Sequence, residues 1–142
     1  MKAFRCIALM VPCVSLLACG GGGGGKGPTA PSPQPSLLVV DAALVSLSGG
    51  VEEGRLLYDG QEVFHSTCNP AGACQLAATL SGTSRGSHTV TIVVVRQNRS
   101  SLVYDVVGEV DYADAAGGKT VPLEQRHLTL HAGDTVVYNI TI

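Results

Sequence analysis

Four small groups of residues have the types and spacing to do chemistry. In Cys68-Asn69-Pro70-Ala71-Gly72-Ala73-Cys74 two thiols flank a Pro- and Gly-containing segment, with His65 three residues before it. The thiols can close a surface loop as a disulfide, the closed loop can serve as a rigid binding tip, or the three side chains can begin a metal site. Structural zinc takes four ligands, and no fourth ligand is evident nearby. Gly82-Thr83-Ser84-Arg85-Gly86 matches the Gly-x-Ser-x-Gly pattern of a nucleophile elbow. That chemistry needs a strand before the serine and a helix after it. Here β-type sequence flanks it on both sides, so a polar turn is expected. Glu109, Asp111 and Asp114 precede Gly117-Gly118 and offer carboxylate oxygens for calcium, but without the spacing of an EF-hand loop. His127 and His131 stand four apart in strand-like sequence, about 13 Å along an extended chain. They cannot share one metal ion and are expected to face solvent. His65 and His88 have no partner identifiable from sequence. No catalytic residue, metal ligand set or cofactor is assigned.

The elements that position these groups begin with a leader. Met1–Arg5 carries Lys2 and Arg5, and the thirteen residues Cys6–Ala18 are apolar. That length suits the core of a signal peptide and falls short of the roughly 20 residues that span a bilayer. Pro12 further disfavours a membrane helix. Leu16-Leu17-Ala18-Cys19 resembles the lipobox of bacterial lipoproteins. The resemblance covers only the leader, about an eighth of the chain. It implies cleavage between Ala18 and Cys19, a diacylglycerol on the Cys19 thiol and acylation of the new amino group. Gly20 stands where an aspartate retains enterobacterial lipoproteins in the inner membrane. The expected location is therefore the outer membrane or surface of a Gram-negative cell. Cys6 and Cys13 leave with the leader, so Cys68 and Cys74 are an even pair in an exported chain. That reads as a disulfide.

Six glycines, Gly20–Gly25, follow, and then a stretch with Pro28, Pro31, Pro33 and Pro35. The glycines favour flexible coil and the prolines favour extended polyproline II. Residues 1–18 are read as the signal peptide, 19–36 as lipidated cysteine plus tether, and 37–142 as the folded domain. Seventeen residues of tether span roughly 20–25 Å on average and at most about 55–60 Å.

From Leu37 onward apolar and polar residues alternate. Val90, Ile92 and Val94 share one parity, as do Leu102, Tyr104, Val106, Val110 and Tyr112. Asp105, Glu109 and Asp111 take the opposite parity of their strand. This is the pattern of half-buried antiparallel strands. Leu128 and Leu130, then Ala132-Gly133-Asp134, then Val136, Tyr138, Ile140 and Ile142 suggest a β-hairpin. Further strands are expected over 38–47, 55–58, 62–66 and 75–80, with turns at Ser48-Gly49-Gly50, at Asp59-Gly60 and over 81–87, 97–101 and 114–119 between strands, and none of the chain has helical periodicity. Seven to eight strands in about 106 residues indicate an all-β antiparallel sandwich. The turn spacing, with Gly86–Ile92 entering a long strand, resembles immunoglobulin-like and fibronectin type III-like domains, without the core Trp and long-range cysteine pair of antibody-type domains.

The charge excludes one class of partner. The chain has 9 basic and 11 acidic residues; without Lys2 and Arg5 it has 7 and 11, a net charge of −4. No basic run follows Lys26, so there is no footprint for nucleic acid. The expectation is a non-catalytic structural, adhesive or interaction module that reaches the membrane through lipid on Cys19 and meets an envelope protein. The alternative is a lipoprotein that binds a small ligand or calcium.

Overall fold

The computed structural model describes Gly27 and residues 32–46, 50–69 and 71–142. The leader, Ala18 and Cys19 lie outside the described residues. Ser32–Ile142 form one compact unit of eight strands: β1 (Leu37–Val45), β2 (Val51–Tyr58), β3 (Gln61–Thr67), β4 (Cys74–Ser81), β5 (Ser87–Gln97), β6 (Leu102–Asp114), β7 (Gly117–Leu130) and β8 (Thr135–Thr141). They form two four-stranded sheets, ordered β4-β1-β6-β7 and β3-β2-β5-β8. All pairings are antiparallel.

The alternation read from sequence sets the two inner faces. Leu38, Val40, Val51, Leu56, Leu76, Val90, Ile92, Val94, Tyr104, Val106 and Val110 are fully buried. Asp41, Glu109 and Asp111 point outward from the opposite face of their strands. Burying one parity fixes register, because a one-residue slip would carry every core side chain into water.

The architecture is compatible with an immunoglobulin-like domain, but the strand order has its own logic. In antibody constant domains the first two strands share a sheet. Here β1 and β2 lie in opposite sheets, and only β2–β3 and β6–β7 are hairpins within one sheet. The first four strands place β1 beside β4 and β2 beside β3. The last four repeat that connectivity with the sheets exchanged: β5 beside β8 and β6 beside β7. The pairings β1–β6 and β2–β5 join the halves.

Two expectations need correction. The hairpin expected across Ala132-Gly133-Asp134 is a crossing between sheets: β7 pairs with β6, and β8 pairs with β5. The turn itself forms, but it is bonded to β5. The Gly133 amide donates to the Val94 carbonyl (2.6 Å), and the Val94 amide donates to the Asp134 carbonyl (3.0 Å). That attachment delivers β8 into the second sheet. The segment 114–119, expected to be a turn, is a short connection followed by strand, because β7 begins at Gly117. Gly118 and Lys119 pair with Ala113 and Tyr112.

Strand direction gives the sandwich two distinct ends. The chain enters β1 at Leu37, and the turns β2–β3, β4–β5 and β6–β7 and residue Ile142 lie at that same end. The segments between β1 and β2, β3 and β4, β5 and β6, and β7 and β8 lie at the other.

Candidate functional site

The end where the chain enters is held by a network centred on the β4–β5 loop, Gly82–Gly86. The loop is a turn between strands, and Gly82 (φ 77°) and Gly86 (φ 146°) take backbone angles that disfavour other residues. No helix follows Ser84, so the strand–elbow–helix geometry of a nucleophile elbow is absent. Five neighbours fasten the loop. The Gly82 amide donates to the Ser36 carbonyl (2.9 Å), and Ser36 Oγ donates to the Thr83 carbonyl (2.5 Å). Gly86 and Ile142 exchange two backbone bonds of 2.9 Å. Arg85 grips both carboxylate oxygens of Asp114 at 2.7 and 2.8 Å and lies over the Tyr112 ring, 5.4 Å from its centroid. Tyr112 donates its hydroxyl toward the Thr83 carbonyl and Asp114. The fifth neighbour is His88.

His88 is the first inward-leaning side chain of β5, and its side chain is 11% exposed. Its Nδ1 lies 2.8 Å from Asp59 Oδ2 and its Nε2 lies 2.9 Å from the Ser84 carbonyl oxygen. Tyr58 stacks on the ring, with centroids 5.2 Å apart. Asp59 begins the two-residue Asp59-Gly60 turn between β2 and β3. Both residues have positive φ, 49° and 79°, as a type I′ hairpin turn requires. Asp59 Oδ1 also accepts the Thr89 amide at 2.8 Å. A carboxylate, an imidazole and a serine therefore meet here, joining a hairpin turn, the start of β5 and the β4–β5 loop.

The assembly resembles a Ser–His–carboxylate triad in composition but differs in the decisive contact. In a triad, Nε2 takes the proton of the serine hydroxyl. Here Nε2 faces the Ser84 backbone carbonyl, which has no proton to give. The contact does not activate Ser84 Oγ.

Several groups are electrostatically biased. The hydrogen bond from His88 holds the Asp59 carboxyl below its ordinary range, helped by the Thr89 amide. Arg85 holds Asp114 well below that range. The Tyr58 hydroxyl is buried with no protein partner, and burial, with the Asp59 charge second, pushes it up to about 12. Both depressed carboxylates favour folding in their ionised form. Their contribution is complete above the ordinary carboxylate range and is lost as pH falls through about 4 and below. Thermal unfolding measured from pH 7 to pH 2.5 is expected to show a steep loss in that window. Asp114→Asn is expected to be less stable at pH 7 and to decline less on acidification. Equal pH slopes for the two proteins would contradict this assignment.

The other sequence candidates are dispersed. Cys68 and Cys74 form a disulfide. It links the end of β3 in one sheet to the start of β4 in the other, at the end opposite the chain entry. The thiols are thus committed to a covalent bridge, and His65 bonds instead to Glu53 at 2.7 Å. His127 and His131 are exposed and lie against Asp105 and Asp134 at 2.8 and 3.1 Å. Asp41 and Glu109 are direct register partners on the outer face of β1 and β6. They line a shallow depression of about 350 Å³ with Ala43, Gln75 and Val107. Among the described residues, no group of three or more His, Cys, Asp or Glu is placed to hold a metal ion. No described helix is long and apolar enough to cross a membrane.

The Asp59–His88–Ser84 cluster and the Arg85–Asp114 pair escaped sequence reasoning. Asp59 was legible only as a turn residue and Ser84 only as part of a false nucleophile motif. No family model, curated protein or solved structure matches the chain.

Proposed function

We propose that the protein is a lipid-anchored cell-envelope protein whose β-sandwich is a non-catalytic interaction module. In this reading the leader is removed after Ala18. Lipid on Cys19 confines the molecule to the outer membrane or surface of a Gram-negative cell, and residues 20–36 act as the tether. One observation on the domain carries the orientation: the chain enters β1 at one end, and the Cys68–Cys74 bridge closes a loop at the other. The nine residues of β1 separate these ends by roughly 30 Å. A domain tethered through Ser36 has its crowded, hydrogen-bonded end nearest the anchor. The stapled loop, the Asn98–Ser101 segment and the His131–Asp134 turn then form the free end. Loops on a rigid scaffold are the usual place for recognition. The bridge holds one of them in shape before any partner arrives, which lowers the ordering cost of binding.

Photo-crosslinking in intact cells tests this arrangement. Probes at Ala71 and Ser100 are expected to yield adducts of defined mass with an envelope component, and probes at Gly60 and Ala115 are not. Adducts arising only from Gly60 and Ala115, or from no position, would contradict the reading.

A further inference from the structure

We propose that Asp59, His88 and Ser84 form a proton-operated clasp: a doubly protonated His88 fastens the β4–β5 loop to the β2–β3 turn, and loss of one proton releases the loop. The inference rests on what the two imidazole nitrogens face. Nδ1 is 2.8 Å from a carboxylate oxygen of Asp59, and Nε2 is 2.9 Å from the carbonyl oxygen of Ser84. A carbonyl oxygen only accepts hydrogen bonds, and an ionised carboxylate does the same. Both contacts are therefore hydrogen bonds only when both nitrogens carry protons. A neutral imidazole has one N–H, so one contact must become an encounter of two lone pairs. The charged acceptor holds the remaining proton better, so the Ser84 contact is the one that fails. Protonating Asp59 instead is no escape. Its other oxygen accepts the Thr89 amide, and acid that neutralises a carboxylate leaves a histidine charged.

The surroundings fit a cation at this position. From β2, the Tyr58 ring stacks against His88, and an aromatic face favours a positive charge. From the β2–β3 turn comes Asp59. The neighbouring Arg85 is already committed to Asp114, and its guanidinium lies over Tyr112. From β8, the register partner is Ile140, which carries no charge. The backbone oxygen of Ile142 is engaged by the Gly86 amide. Asp59 is thus the anion in direct contact with the imidazole, and no cation among these groups touches it.

The loop released is the one that holds both ends of the domain. Gly82 and Thr83 bind Ser36 at the entry to β1, and Gly86 binds Ile142 beyond β8. The clasp therefore couples proton concentration to the fastening of the first and last strands. This holds whether or not Cys19 carries lipid.

Amide hydrogen exchange on the full-length protein at pH 5.5 and pH 8, expressed as protection factors, tests the clasp at Gly82, Gly86 and Ile142. Protection is expected to fall about tenfold at the higher pH, the scale of one hydrogen bond to a charged group. The amides of Val90 and Ile92 in the centre of β5 serve as the unaffected reference. Asp59→Asn supplies the decisive arm. An asparagine amide can donate to a neutral Nδ1, which leaves Nε2–H for Ser84, and its oxygen can still accept the Thr89 amide. This variant is expected to keep its protection at pH 8. His88→Gln has a single donor nitrogen in place of the two ring nitrogens that face Asp59 and Ser84, and is expected to show low protection at both pH values. Wild-type protection that does not change with pH, or an Asp59→Asn variant that loses protection as the wild type does, would overturn the proposal. If His88→Gln fails to fold, the other two proteins still decide it.

Discussion

Replacing Cys19 with serine is expected to move the protein almost completely from the membrane fraction to the soluble fraction. A serine hydroxyl cannot receive the thioether-linked diacylglycerol that the resemblance at Leu16–Cys19 implies; the variant is expressed behind a conventional cleavable signal peptide, so that no retained leader holds it in the membrane. Each buried methylene of an acyl chain contributes about 0.8 kcal/mol. One chain binds a bilayer only marginally, whereas two or more hold it stably. No described helix is long and apolar enough to cross a membrane. The chain without Lys2 and Arg5 has a net charge of −4, and no basic run follows Lys26, so attraction to anionic lipid contributes little. The readout is partitioning between detergent and aqueous phases after extraction. The wild type is expected in the detergent phase and Cys19→Ser in the aqueous phase. A variant that stays with detergent would show that the attachment lies elsewhere.

The second large effect lies in the fold. Gly108 sits in β6 opposite Ala42 of β1, the central pair of the first sheet. A methyl group there would overlap the Asp41 carbonyl oxygen, stand 2.9 Å from Ala42 Cα and stand 3.1 Å from a Leu123 methyl. Two of these neighbours are backbone and cannot rotate away, so the sheet itself must part. Gly108→Ala is expected to destabilise the domain by about 3 kcal/mol, the upper part of the range for overpacking. That corresponds to a melting temperature lower by roughly 10–20 °C for a domain of this size. Gly118→Ala is the matched control in the paired strand. Its added carbon would meet nothing closer than the Tyr112 carbonyl at 3.4 Å. It is expected to be neutral or slightly stabilising, since alanine loses less backbone freedom than glycine on folding. Equal melting temperatures for the two variants would refute the close approach of β1 and β6.

These examples mark where sequence was informative. The alternation in Leu102–Tyr112 and in His88–Gln97 announced inner and outer faces, because each strand buries one parity only. Val90, Ile92, Tyr104 and Val110 are all fully buried. Cys68 and Cys74 were legible because reading the leader as removed and Cys19 as lipidated leaves two cysteines with one pairing available. The destination of β8 was not legible. Alternating strands on either side of Ala132-Gly133-Asp134 look the same whether they pair with each other or enter different sheets. What decides is the bonding of the turn to Val94, a contact distant in sequence. The start of β7 was hidden for another reason. Gly117-Gly118-Lys119 carries no apolar alternation, and pairing with β6 alone makes it strand. The cluster around His88 was hidden by separation. Asp59 and His88, like Arg85 and Asp114, stand 29 residues apart, and no local pattern encodes such a meeting. Gly108 belongs to the same class, since its need for a bare α-carbon comes from β1.

Lipid on the Cys19 sulfur is tested most directly by mass measurement of the mature protein's N-terminal peptide. The expected result is a chain that begins at Cys19, with a mass increase equal to a thioether-linked diacylglycerol and one amide-linked acyl chain. A peptide carrying Cys19 with a free thiol, or a mature chain that begins at another residue, would contradict it.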